Sequence, residues 1–282
     1  MEGCLAPRSR NHRLGSCFGL TTSAGFSTLL QVKKVLAVIP ARYASTRLPG
    51  KPLSEIHGKP MIQWVVEAAK RAKSLSDVYV ATDDERIVRA VESFGGKAVM
   101  TDSNLQSGTD RVAAVADLYS ADIYINIQGD EPLMDTRAVD AAVELIQSGR
   151  FQMSTVMTPL TTEAELHDIS VVKVLADKNQ RSIYFSRYPI PYSRILKPAP
   201  GEPFICRRHV GLYGYTREVL FRIRSLAPSK IELGESLEQL RAIEDGIQIG
   251  ITEVDFLSIG VDTPKDLETV REYIRTHRQG SK

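Results

Sequence analysis

The chain has little of what would classify a protein at once. It holds only three cysteines, Cys4, Cys17 and Cys206, with no metal-ligand spacing, and two of them fall in the N-terminal tail. That argues against a disulfide framework or a cysteine zinc site and points to a reducing compartment. Neither sign of charge dominates. The 282 residues include 36 basic and 34 acidic side chains, so nothing global points to nucleic acid or to a membrane surface. No apolar run approaches the roughly 20 residues a membrane helix needs, and a soluble protein is expected. Neither Gly-x-x-x-x-Gly-Lys-Ser/Thr nor Gly-x-Gly-x-x-Gly follows a strand-like run, which removes the main support for a P-loop or a dinucleotide fold. Internal repeats and low-complexity tracts are also absent.

What is present begins at Lys33. Residues 1–32 carry Arg8, Arg10 and Arg13, several Ser, Thr and Gly, and a single acid, Glu2. This suits an organelle transit peptide, a disordered tail or an upstream start codon equally, so the segment is set apart from the fold. The compartment reads as cytoplasmic, or organellar if residues 1–32 are a transit peptide. From residue 33 to 282 the length fits one large domain. Runs at 35–39, 77–82, 97–100 and 122–127 read as strands, and apolar stripes at 62–69, 87–94, 112–119 and 138–146 read as helices. The alternation predicts an α/β fold with a mostly parallel sheet and helices on both faces. Beyond Met153 the regularity declines. Strand-like runs at 171–175 and 209–213 flank a proline-rich segment, 188–192, that cannot be a central strand. An inserted smaller subdomain, roughly 180–248, is expected there.

The most informative stretch lies between the first strand and the first helix. It reads Ile39-Pro40-Ala41-Arg42-Tyr43-Ala44-Ser45-Thr46-Arg47-Leu48-Pro49-Gly50-Lys51-Pro52-Leu53. Open α/β sheets bind ligands at the carboxyl ends of their strands. Arg42, Arg47 and Lys51 placed there suggest a polyanion, most simply a triphosphate, gripped by planar forks and a point charge. The segment Gln128-Gly129-Asp130-Glu131-Pro132 puts an acid just after a buried strand at the same edge. Magnesium is commonly held by one or two carboxylates plus substrate phosphates; a turn or helix-cap acid is the plainer alternative. In Gly260-Val261-Asp262-Thr263-Pro264-Lys265-Asp266, Thr263, Pro264 and Asp266 suit the start of a helix. Capping does not require Asp262.

Further motifs are Gln106-Ser107-Gly108-Thr109-Asp110-Arg111, Tyr184-Phe185-Ser186-Arg187, Arg208-His209-Val210-Gly211-Leu212-Tyr213 and Leu237-Glu238-Gln239-Leu240-Arg241. With the opening loop, the Asp130 segment and the Asp262 segment, they make the chain resemble the 3-deoxy-manno-octulosonate (Kdo) cytidylyltransferases. The likeness is collinear from about Val35 to Arg275. The resemblance implies a nucleotidyltransferase-like fold and transfer of CMP from CTP to the anomeric hydroxyl of Kdo. Pyrophosphate is released, and the product serves lipopolysaccharide or plant pectin synthesis. It implies Mg²⁺ on Asp130 and Asp262, with Arg42, Arg47 and Lys51 on the triphosphate. Ser107, Arg111 and Gln128 fall near the nucleotide, and Arg187, His209, Tyr213, Glu238 and Gln239 around the acidic sugar. It also implies a homodimer, with no nucleic-acid or membrane partner. Asp110 departs from the Glu of many relatives. Duller readings stand beside these. His209 and Tyr213 suit an ordinary half-buried strand, Glu238 and Arg241 a surface helical pair, and Ser107 or Thr109 a simple helix cap. Rival functions are a cytidylyltransferase for 8-amino-Kdo or sialic acid, and a nucleotide-binding subunit without turnover.

Overall fold

The computed structural model describes residues 33–278 except 45–47, 193, 195–198, 200–201 and 257–258. The expectations for residues 1–32 and for Arg47 lie outside the described residues. In chain order the elements open with β1 (Val35–Ala41), β2 (Glu55–Ile56), β3 (Lys59–Pro60), α1 (Met61–Ala69), β4 (Asp77–Thr82), α2 (Glu85–Ser93) and β5 (Lys97–Met100). Then follow α3 (Gly108–Leu118), β6 (Ile123–Asn126), α4 (Thr136–Gln147), β7 (Met153–Thr158), α5 (Glu163–His167), β8 (Lys173–Ala176), β9 (Ser182–Ser186) and β10 (Arg207–Thr216). The last are α6 (Arg217–Ser225), α7 (Lys230–Glu235), α8 (Gln239–Glu244), β11 (Ile249–Glu253) and α9 (Pro264–Arg278).

The first strand shows why the sheet is sandwiched. Val35 to Ile39 are all fully buried apolar residues, and successive side chains point to opposite faces. Val35, Ala37 and Ile39 join a core with residues of α1, α2 and α4, whereas Leu36 and Val38 join one with α3, α6 and α8. A strand buried on both faces belongs in a parallel sheet covered by helices. Among the described residues, nine strands form one sheet whose main order is β11-β7-β10-β6-β1-β4-β5, with β8 and β9 added at β10. The block β6-β1-β4-β5 is parallel, as expected; β10 runs antiparallel between β6 and β7.

Regular strands also occupy the region where the sequence pattern fades. β7 contains buried Ser154, Thr155 and Thr158, which interrupt its apolar pattern. Two of these hydroxyls donate inward, Ser154 to the Ala142 carbonyl at 2.7 Å and Thr155 to that of Leu212 at 2.7 Å, so burying them leaves no orphan polar group. Along β10 the register to β7 jumps between Val210 and Tyr213. The two intervening residues keep the alternation in phase, and His209 and Tyr213 stay on one face with ring centroids 5.4 Å apart.

Candidate active site

The cationic loop leaves β1 at the carboxyl edge and is pinched shut where the Gly50 N–H donates to the Tyr43 carbonyl at 3.0 Å. Gly50 has φ 68°, a left-handed conformation that side chains disfavour. A 3₁₀ turn, Lys51–Leu53, follows and aims Lys51 back across the sheet edge. Its ammonium donates to Asp130 Oδ2 at 2.7 Å and to Asp262 Oδ1 at 3.2 Å. Two acids 132 positions apart in the chain thus converge on one cation. Their loops are joined by the Val261 N–H donating to the Asp130 carbonyl at 2.9 Å. Gly129 is required for that approach, because a Cβ there would stand 2.7 Å from the Pro40 carbonyl oxygen.

Arg42 donates to the Leu105 carbonyl and, with Lys51, Gln128, Asp130 and Asp262, lines a groove of about 380 Å³. Burial and the Arg111 charge work against the Arg42 cation, while Asp83 and Asp110 support it. An anion seated in the groove would add to that support. Ser107 caps α3 by accepting from the Asp110 N–H at 3.1 Å, and the Asp110 carboxylate accepts from the Ser107 N–H at 3.0 Å. Ser107 Oγ also donates to Glu238 Oε1 at 3.3 Å, linking the helix start to the far pocket.

Gln128 stands where this groove meets a larger hollow of about 940 Å³ that includes His209, Tyr213, Gln239 and Asp262, and an inner cavity of about 180 Å³. Burial holds the His209 imidazole neutral, with its pKa pushed down to about 3. Its Nε2 lies 3.0 Å from Thr155 Oγ1. That hydroxyl gives its proton to the Leu212 carbonyl, so it accepts from Nε2–H and leaves Nδ1 as the acceptor. Burial raises the Tyr213 and Tyr215 phenols and, with the Asp110 charge, the Glu238 carboxyl. Gln239 is buried, and Arg241 pairs with Glu232 at 2.5 Å rather than with Glu238.

Two of the expected site residues stand behind the walls. Arg111 is fully buried and donates to Asp83 at 2.7 Å and to Thr101 at 2.6 Å. Arg187 donates to the carbonyls of Glu235, Ile169 and Ser236 at 2.8, 3.0 and 3.3 Å. Residues that the sequence reading did not assign to the site also enter it or brace it. Asn126, Thr109 and Tyr215 line the inner cavity. Buried Lys173 ties the carbonyls of Asp168, Val171 and Arg187 together at 2.7 to 2.9 Å. A polar last residue on an otherwise apolar buried strand, Asn126, is the one clue the sequence offered.

Among the described residues no group of three or more His, Cys, Asp or Glu side chains is poised to hold a metal. The Asp130–Asp262 pair around the Lys51 ammonium fits a hard divalent cation that takes its remaining oxygens from phosphates and water.

An open α/β sheet with a cationic loop, a carboxylate pair and a polar pocket at one edge defines a nucleotidyltransferase site, and the family model described as Cytidylyltransferase matches residues 36–249. The 3-deoxy-manno-octulosonate cytidylyltransferase of Geotalea daltonii is 46% identical over 249 residues, covering 86% of this chain and 98% of that protein. The one from Bdellovibrio bacteriovorus is 44% identical over 242 residues, covering 86% and 98%. The solved structure of a CMP:2-keto-3-deoxy-manno-octonic acid synthetase complexed with CTP superposes with a TM-score of 0.81 at 44% identity, covering 87% of this chain and all of that one. A 4-diphosphocytidyl-2C-methyl-D-erythritol synthase from Anaerococcus prevotii, 11% identical with a TM-score of 0.57, shares the fold; it covers 86% of this chain and 97% of that one. The chain belongs to the 3-deoxy-manno-octulosonate cytidylyltransferase family.

Proposed function

We propose that the protein transfers CMP from CTP to the anomeric hydroxyl of Kdo, releasing pyrophosphate and forming CMP-Kdo for lipopolysaccharide or pectin synthesis. The observation that carries this reading is the convergence of Lys51, Asp130 and Asp262 beside Arg42. Arg42 and Lys51 bind the triphosphate and stabilise the charge that builds on departing pyrophosphate. Asp130 and Asp262 would hold Mg²⁺, whose bound form supplies charge neutralisation at phosphate and makes the sugar hydroxyl more acidic. Triphosphate oxygens entering the groove give Lys51 new partners and free the carboxylates. In-line placement of the hydroxyl against the α-phosphorus does the rest, so no side-chain nucleophile is needed.

Ser107, capping α3 beside the groove, and Gln128, at the junction, serve the nucleotide. His209 offers Nδ1 as an acceptor to a sugar hydroxyl, and Tyr213, Glu238 and Gln239 offer further partners. Arg111 and Arg187 act by bracing the loops that carry these groups. The protein works as a homodimer in the cytoplasm or, with a transit peptide, in an organelle. Among the described residues no helix is long and apolar enough to cross a membrane. The test is pyrophosphate release with CTP and Mg²⁺, comparing Kdo, 8-amino-Kdo, sialic acid and no sugar. Release that depends on Kdo is expected. Release with another acid alone replaces the substrate, and none at all from protein that still binds CTP leaves a subunit without turnover.

A further inference from the structure

The inner cavity of about 180 Å³ has a composition unlike the groove it opens from. Polar groups from Thr109, Asn126, Gln128, Tyr215, Glu238 and Gln239 face it, and no cation does. Two of these side chains are nine-tenths buried and incompletely paired: Asn126, 2% exposed, has no partner for its Oδ1, and Gln239, 5% exposed, has none for its Nε2. Orphaned buried amide atoms cost stability unless something is bound to them. Tyr215 adds a hydroxyl 3.4 Å from Thr109 Oγ1. The volume holds several waters or a short hydroxylated carbon chain.

Which end of a sugar acid can enter follows from charge. A carboxylate placed beside Glu238, with no cation in the lining, is repelled. The carboxylate pair proposed to hold the metal beside the reacting hydroxyl stands on the other side of Gln128. We propose that the inner cavity takes the end of the sugar remote from its carboxylate, and that Asn126, with Gln239 and Tyr215, reads the hydroxyl on its last carbon. The orphaned amide atoms are then satisfied by the substrate, and a chain end without a donor or acceptor leaves them unpaired.

This inference rests on the Kdo reading, and a cycle of enzyme and substrate changes separates the two. The enzymes are the wild type and Asn126→Leu, and the substrates are Kdo and its 8-deoxy analogue, with kcat/KM measured for each pair. Expected is a loss of about tenfold or more for either change alone and little further loss for both together, because they remove the same hydrogen bonds. The KM for CTP stays unchanged. The thermal midpoint of Asn126→Leu without substrate changes little, since the isosteric side chain removes the orphaned Oδ1 but also the hydrogen bond to Tyr215. Tyr215→Phe runs through the same cycle should Asn126→Leu not fold. Losses that multiply, or a variant whose melting point drops while its preference between the two sugars is unchanged, overturn the assignment and leave the Kdo reading standing. A wild type that turns over neither sugar overturns both.

Discussion

At the scale of single residues, the Lys51 ammonium between two carboxylates makes the sharpest claim. Asp130→Asn is expected to cut kcat by about 100-fold or more, the scale seen when a group that stabilises transition-state charge is lost. Near-normal turnover at saturating Mg²⁺ would remove Asp130 from the metal role. Lys51→Met withdraws the bridging cation and leaves the two acids facing each other. Its thermal midpoint is expected to rise with Mg²⁺ alone, whereas the wild type responds strongly only when CTP is also present; calorimetry of both proteins checks this. His209 carries a pH prediction. Its folded pKa, about 3, lies below the ordinary histidine value of 6.5, so the unfolded chain takes up a proton over a range where the native state does not. Its contribution to stability is whole above pH 6.5 and falls as pH drops from there toward 3. Glu238 works in the opposite sense. Its raised carboxyl favours folding most at low pH and gives that up as pH rises from about 4.5 through its folded value. Melting curves of His209→Gln should therefore flatten on the acid side, and those of Glu238→Gln should not. Most residues that the structure gathers around Lys51 were legible, because acids and cations after buried strands at one sheet edge have few structural uses. Arg187 and Arg111 were legible in position only. Nothing in a linear sequence says that backbone carbonyls and Asp83 engage their guanidinium forks.

At the scale of elements, the loop between α7 and α8 carries Glu238, leads into α8 at Gln239 and is held from outside. Ser236 stands at φ 52°, a left-handed conformation uncommon for serine. The Glu235 carboxylate accepts from Ser186 Oγ at 2.7 Å and from the Arg187 N–H at 2.8 Å, and Arg187 in turn grips carbonyls on both sides. Arg187→Lys replaces a planar fork, whose Nε and two terminal nitrogens reach three separate carbonyls, by one compact ammonium that cannot span all three positions. Its expected signature is a KM for the sugar raised about tenfold or more with the KM for CTP unchanged, since only the sugar wall loosens. A rise in both constants would mean that the loop braces the nucleotide too. Helix starts were the most readable local signals. At α9 the Asp266 N–H donates to Thr263 Oγ1 at 3.2 Å, and the Thr263 N–H donates to the Asp266 carboxylate at 2.8 Å, as the spacing suggested. β7, β9 and β11 were less readable. Buried hydroxyls on β7 break the apolar run, and short strands joining an established sheet need little propensity of their own.

At the scale of the whole molecule, the parallel half of the sheet was visible as alternating runs, whereas the antiparallel insertion of β10 between β6 and β7 depends on long-range pairing that no local pattern encodes. The segment between β9 and β10 leaves Tyr188, Tyr192 and Ile205 exposed, at 74%, 91% and 53%. Aromatic side chains enriched in such positions suit a self-association face. Equilibrium sedimentation is expected to give a dimer for the wild type and a larger monomer fraction for Tyr192→Lys; monomer alone at working concentration for the wild type would sink the dimer. The pairing of Asp130 with Asp262 also has a meaning in time. A ribosome delivers the cationic loop and Asp130 early, but Asp262 and α9 come last. The Asp262 segment and α9 dock by burying Val261, Leu267, Val270 and Ile274 against Ile56 and Met61, and Arg271 donates to the Glu55 carbonyl. A nascent chain therefore carries the cationic loop and Asp130 before its second acid. Until residues 261–274 emerge, Lys51 has Asp130 but not Asp262 to donate to, and Ile56 and Met61 stay uncovered.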